Sequence, residues 1–219
     1  MGIVSNRAIW ESVGWGEYFA EAKRKLQPFF KKYPNLIGNI VLDVGARSFS
    51  LYAAGQNPDK VVTVDWAHDT KVINDSVLHV RADIERLLVN YSRDRSLMNT
   101  EVRHFLGKNR RCPAFDTVTF CSVLNYVPYK DVLGQALFLV RLGGTIVILN
   151  KPGMTLGNRA HLLHKDGVKD NHKLLEYCRK TMKLDPLLVL EMRDGEDWEK
   201  TSIDECTQDG LIFATFRKQ

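Results

Sequence analysis

The chain alternates short apolar runs with longer amphipathic stretches, the pattern of strands joined by crossover helices. Across residues 7–33, Trp15, Tyr18, Phe19, Ala22 and Leu26 recur at steps of three and four, with Glu17, Glu21, Lys23, Arg24 and Lys25 between them. This predicts an amphipathic helix that Pro28 bends or ends, with Phe29, Phe30 and Tyr33 packing a following turn. After a break at Gly38 and Asn39, apolar runs fall at residues 40–44, 61–64, 77–80, 114–121 and 145–149. Their shortness and Val/Ile/Leu content predict strands covered on both faces, as in a parallel sheet. Residues 47–54, 84–91 and 132–142 read as the intervening helices, the last closed by Gly143 and Gly144 as a C-cap pair. A final helix is predicted over residues 173–184, with Leu174, Leu175, Cys178 and Met182 inward. Residues 187–192 and 211–216 then form an antiparallel pair closing the sheet. The expectation is an α/β fold, a doubly wound, mostly parallel sheet of seven strands. It forms a single domain, with a helical cap over residues 1–38 and the α/β core over residues 39–219.

Two strand ends carry the chemistry. The first run passes through Asp43 and ends at Gly45; about 20 residues on, the second ends in Asp65. A glycine at a strand end lets the backbone approach a ligand, and a carboxylate on the neighbouring strand accepts the hydroxyls of a ribose. A pyrophosphate would require the fuller G-x-G-x-x-G turn. Here Gly45 is followed by Ala46, Arg47, Ser48, Phe49 and Ser50, and the next glycine is Gly55. The pattern therefore points to a nucleoside without a pyrophosphate. Trp66, directly after Asp65, is placed either to stack on a base or to plug the sheet edge.

The succession VLDVGARS, VVTVDW, VLHVRADI, FDTVTFCSVLNYVP and LVRLGGTIVIL resembles the class I, Rossmann-like, S-adenosylmethionine-dependent methyltransferases, over residues 40 to about 217. The departure is the glycine loop, thinner than in many members. The resemblance implies S-adenosyl-L-methionine as cofactor, surrounded by Asp43, Gly45, Ala46, Asp65, Trp66, Asp83, Ile84 and Ser122. Asp83 would meet the adenine amino group and the Ile84 backbone N–H a ring nitrogen; Asp83 also fits a helix N-cap. The implied activity is methyl transfer to a small or medium-sized molecule. An RNA methylase using the basic residues 93–111 and a non-catalytic scaffold of the same fold are the alternatives. No catalytic residue stands out, because methyl transfer chiefly requires alignment. His161 and His164, in the polar stretch over residues 150–171, are the candidate bases there.

Composition narrows this further. Charged residues make up 26% and hydrophobic ones 44% of 219 residues, as in an ordinary globular domain. No apolar run is long enough to span a bilayer, and the N-terminus lacks the pattern of a secretory signal, so a cytoplasmic location is expected. Cys112, Cys121, Cys178 and Cys206 form no CxxC pair, which predicts reduced thiols and no metal site. The net charge of +5 permits an anionic partner. Yet Arg93, Arg95, Arg103, Lys108, Arg110 and Arg111 lack interleaved aromatics, which favours a solvated helix face over a nucleic-acid surface. Trp198 is expected to pin the acidic connection over residues 194–199.

Overall fold

The computed structural model describes residues 15–45, 58–65, 71–81, 84–86, 100–107, 115–152, 163–193 and 196–219. Helix α1 is Trp15–Lys32, followed by strands β1 (Ile40–Val44), β2 (Lys60–Asp65), β3 (Lys71–Asn74) and β4 (Val77–Arg81). A single 3-10 turn at Ile84–Arg86 precedes helix α2 (Thr100–Leu106), then β5 (Phe115–Cys121), α3 (Tyr129–Leu139) and β6 (Val140–Asn150). Helix α4 (Asn171–Glu176) runs into a π turn at Tyr177–Thr181, and β7 (Asp185–Met192), β8 (Glu199–Lys200) and β9 (Leu211–Arg217) complete the order.

One nine-stranded sheet runs β3-β4-β2-β1-β5-β6-β9-β7-β8. The expected seven strands are all there, and the count rises because two short edge strands join them. On one edge β3 folds back antiparallel on β4 through a turn in which Ser76 N donates to Asn74 Oδ1 at 2.9 Å. On the other, the two-residue β8 pairs with β7. From β4 to β6 the pairing is parallel, and β9 lies antiparallel between β6 and β7. The chain leaves β1 toward β2 and later returns to the other side of β1 as β5. That reversal makes the gap between the carboxyl ends of β1 and β5 the switch point of the sheet.

All of β1 is buried. Ile40, Leu42 and Val44 join one apolar cluster with α3 and α4, while Val41 joins the other, with Ala22, Leu26 and Phe30 of α1. The period-2 alternation of a strand thus feeds two cores, which is why its sequence is apolar at nearly every position. Trp198 secures α1: its indole Nε1 donates to Ala22 O at 2.9 Å and its ring meets Phe213 edge-on.

The local expectations need four corrections. Pro28 neither ends nor divides α1, which continues through Phe29 and Phe30 to Lys32. Gly143 and Gly144 do not cap a helix. The chain leaves α3 at Leu139 and is extended by Val140, and both glycines lie within β6. There Gly143 has φ +72 and donates to Lys218 O, a Cβ on Gly144 would meet Asp116 O at 2.6 Å, and the β5–β6 register shifts nearby. The glycines serve a strand irregularity that also receives the C-terminus. Asn150 and Asn171, read as the limits of a polar loop, are buried, at the end of β6 and the start of α4. The last helix begins two residues earlier than expected, capped by Asp170 on Lys173 N, and ends as a π turn. The predicted helix over residues 47–54 lies outside the described residues.

Candidate functional site at the sheet switch point

At the end of β1 the backbone turns at Gly45 with φ +73. Gly45 N donates to Val64 O at 2.8 Å, which ties the turn to the residue before Asp65. A Cβ on Gly45 would lie 2.6 Å from Val123 Cγ2 and 3.4 Å from Ile84 Cδ1. Glycine is required here twice over, for its left-handed backbone and for a neighbour that leaves no room. The ends of β1 and β5 and the turn after β4 therefore close on one point.

Across the switch from Gly45, Ser122 follows β5 with φ +54, an uncommon conformation for a residue with a side chain. Its backbone N donates to Leu149 O at 2.8 Å, while its buried Oγ has no hydrogen-bond partner. Below the turn Asp43 is fully buried, and its Oδ1 accepts from Thr119 Oγ1 at 2.6 Å. Thr119 is the β5 residue in register with Asp43. A hydroxyl from the adjacent strand thus supports a carboxylate that would be costly to bury alone.

Of the residues predicted to surround a cofactor, Asp43, Gly45, Ile84 and Ser122 converge on the switch point. Asp65 ends β2, one position beyond the Val44–Val64 pair, so its backbone stands beside the Gly45 turn. Ala46, Trp66, Asp83 and the side chain of Asp65 lie outside the described residues.

Beyond β5, two segments that sequence reasoning left unconnected are joined. His164 N donates to Asn125 O at 3.1 Å, and Val168 N to Leu124 O at 3.0 Å. A Cβ on Gly167 would sit 2.1 Å from Asn125 O, so only glycine lets this strap close. His164 Nδ1 accepts from Asp166 N at 3.1 Å, which occupies that nitrogen, and His161 lies outside the described residues. Burial pushes the Tyr126 phenol up to about 12, so it remains protonated near neutral pH. Asn125 and Asn150 are both buried here. The signal for them was weak, since an Asn in a loop ordinarily reads as a turn former.

His172, Glu176 and Asp204 bring possible metal-ligand atoms within 4.8 Å of one another. Their carboxylates are already engaged by cations: Arg179 bonds both Glu176 and Asp204, and Lys180 pairs with Glu176.

No family model matches the sequence, and no curated protein matches it. Solved structures do match. N-methyltransferase NodS from Bradyrhizobium japonicum covers 91% of this chain and 96% of its own at 10% identity, with a TM-score of 0.54. The 1,6-didemethyltoxoflavin-N1-methyltransferase of Burkholderia thailandensis, with S-adenosylhomocysteine bound, covers 98% and 82% at 15% identity and a TM-score of 0.57. The chain has the fold of the class I S-adenosylmethionine-dependent methyltransferases. A geranyl diphosphate methyltransferase in complex with S-adenosylmethionine shares that methyltransferase fold over 90% of this chain and 85% of its own, at 12% identity and a TM-score of 0.56. At such identities the likeness is one of fold alone. The seven strands β4-β2-β1-β5-β6-β9-β7 are those expected from the sequence, and β3 and β8 flank them at the two edges.

Proposed function

We propose that the protein is an S-adenosylmethionine-dependent methyltransferase acting on a small or medium-sized molecule. The carrying observation is the pair of facing strand ends at the switch point, Gly45 and Ser122. A non-glycine residue held in the left-handed region costs on the order of 1–3 kcal/mol. A buried hydroxyl left without a partner costs about as much. Both penalties fall on Ser122, beside a glycine turn, where a bound ligand would supply the missing contact.

In this reading Asp65 accepts the ribose hydroxyls, Trp66 lies against the adenine and Asp83 accepts from the adenine amino group. The Ile84 backbone meets a ring nitrogen, and Asp43, Gly45, Ala46 and Ser122 border the opposite end of the nucleoside. The cofactor, when bound, supplies a methyl group already activated on sulfur. The chain aligns the acceptor and keeps water away, a task suited to the apolar wall of Ile84, Val123 and Leu124. The fold neighbours named for 1,6-didemethyltoxoflavin and geranyl diphosphate support a small acceptor. Helix α2 turns Val102 and Leu106 inward and Arg103 and His104 outward, as a solvated basic face does without any nucleic acid.

Calorimetric titration with S-adenosylmethionine tests the reading. Saturable uptake by the wild type and its loss in a folded Asp65→Ala variant are expected. No uptake by the folded wild type would remove the enzymatic reading.

A further inference from the structure

We infer that His172, Glu176 and Asp204 form a site for one divalent transition-metal ion of the zinc type, at the place where the Arg179 guanidinium bridges the two carboxylates. The inference stands independently of the methyltransferase reading. One ligand atom from each of the three residues lies within 4.8 Å of the others. His172 and Glu176 are separated by one helical turn on α4, so they share a face. Asp204 comes from the turn between β8 and β9, where the buried Ile203 and Cys206 pin the chain around it. The same connection is tied to α4 by Asn171, whose backbone N donates to Gln208 O at 3.0 Å and whose Nδ2 donates to Gly210 O at 2.7 Å. The two halves of the site are therefore held together by contacts other than those of the ligands themselves.

The carboxylates already converge on a positive group. Arg179 Nη2 donates to Asp204 Oδ1 at 2.9 Å and to Glu176 Oε1 at 3.1 Å, and its Nη1 donates to Asp204 Oδ2 at 3.3 Å. Lys180 pairs with the same Glu176 Oε1, so both cations share one oxygen and Oε2 is left open. No group among the described residues bonds the His172 ring. The imidazole thus adds a lone pair that neither cation uses and a metal ion does.

This donor set selects the ion. Imidazole with carboxylates suits zinc and its neighbours, whereas magnesium and calcium take oxygen ligands. Ligands about 2.0–2.2 Å from a zinc ion stand roughly 3.4 Å from one another in a tetrahedron, so the three side chains need to close by about 1 Å. The site uses no cysteine, which is why cysteine spacing does not reveal it. A bound ion displaces Arg179 and cross-links α4 to the β8–β9 connection. The rival account is a plain surface ion-pair cluster, in which Arg179 and Lys180 balance the two carboxylates.

The test titrates the full chain with zinc chloride, following the His172 imidazole signals by NMR and the heat of binding by calorimetry. Stoichiometric zinc is expected to shift the His172 signals, and excess magnesium neither to shift them nor to displace the zinc. His172→Ala should weaken the uptake at least about tenfold. Arg179→Met, which removes the competing cation, should tighten it by about tenfold, the worth of one charged hydrogen bond. No uptake, uptake that leaves the His172 signals in place, or an Arg179→Met variant that binds zinc no better than the wild type overturns the inference and leaves the ion-pair cluster. The wild-type titration decides the matter even if a variant fails to fold.

Discussion

Gly45 and Val123 meet so closely at the switch point that a methyl group on the glycine would stand 2.6 Å from Val123 Cγ2 and 2.8 Å from its Cβ. Gly45→Ala adds that collision to a backbone held at φ +73. We expect a loss of about 2–4 kcal/mol, the sum of a strained backbone and an overpacked contact. In the double variant with Val123→Ala the Cγ2 contact is removed while Cβ, 2.8 Å away, and the strained backbone remain, so stability returns only in part. Thermal unfolding of the single and double variants checks this; full recovery would mean that the backbone angle is unimportant.

Thr119→Val keeps the shape of the side chain and removes the hydroxyl that donates to Asp43 Oδ1 at 2.6 Å. A buried carboxylate deprived of one donor should cost roughly 1–3 kcal/mol. The two residues should also couple in a double-mutant cycle with Asp43→Asn, because they touch. Denaturant unfolding measures both, and additive effects would contradict the pairing.

Burial pushes the thiols of Cys178 and Cys206 up to about 12. Both should resist iodoacetamide near neutral pH in the folded protein and react fully once it is unfolded, since the thiolate is the nucleophile. Peptide mapping by mass spectrometry reads the difference, and rapid labelling of either in the native state would be the opposing result.

Asp204 is held below its ordinary value chiefly by the hydrogen bond from Arg179, and Glu176 chiefly by the one from Lys180. A carboxylate depressed in the folded state contributes stability above its unfolded pKa and loses it as pH falls through the folded value. The unfolding temperature should therefore drop as pH falls below the normal carboxylate range, and Arg179→Met should flatten that slope. Melts across an acid series test it; an unchanged slope would show that these exposed pairs contribute nothing.

Much of the frame was legible because each core strand is apolar on both faces. β1 was bounded to the residue and β2, β4, β5, β7 and β9 to within two, whereas β6 starts five residues before the expected strand at 145–149. The errors came where a residue type serves two purposes. Gly143 and Gly144 look the same whether they end a helix or bend a strand, and only the contacts with Lys218 O and Asp116 O distinguish the two. Edge strands β3 and β8, of four and two residues, are too short to leave a periodic trace. At the site, Gly45 announced itself by position, whereas the strain and the unpartnered hydroxyl of Ser122 are tertiary facts. They depend on which carbonyl happens to lie opposite, and no local pattern records that.

The central claim is that a nucleoside-bearing methyl donor rests on the Gly45 turn beside the end of β2. A crystal structure of the protein grown with S-adenosylhomocysteine tests this most directly. The account predicts the ribose hydroxyls on the Asp65 carboxylate, the sulfur over the gap between β1 and β5, and a new contact to Ser122 Oγ. Density for the nucleoside elsewhere on the sheet, or a well-ordered switch point that takes up none of it at saturating concentration, would contradict the account.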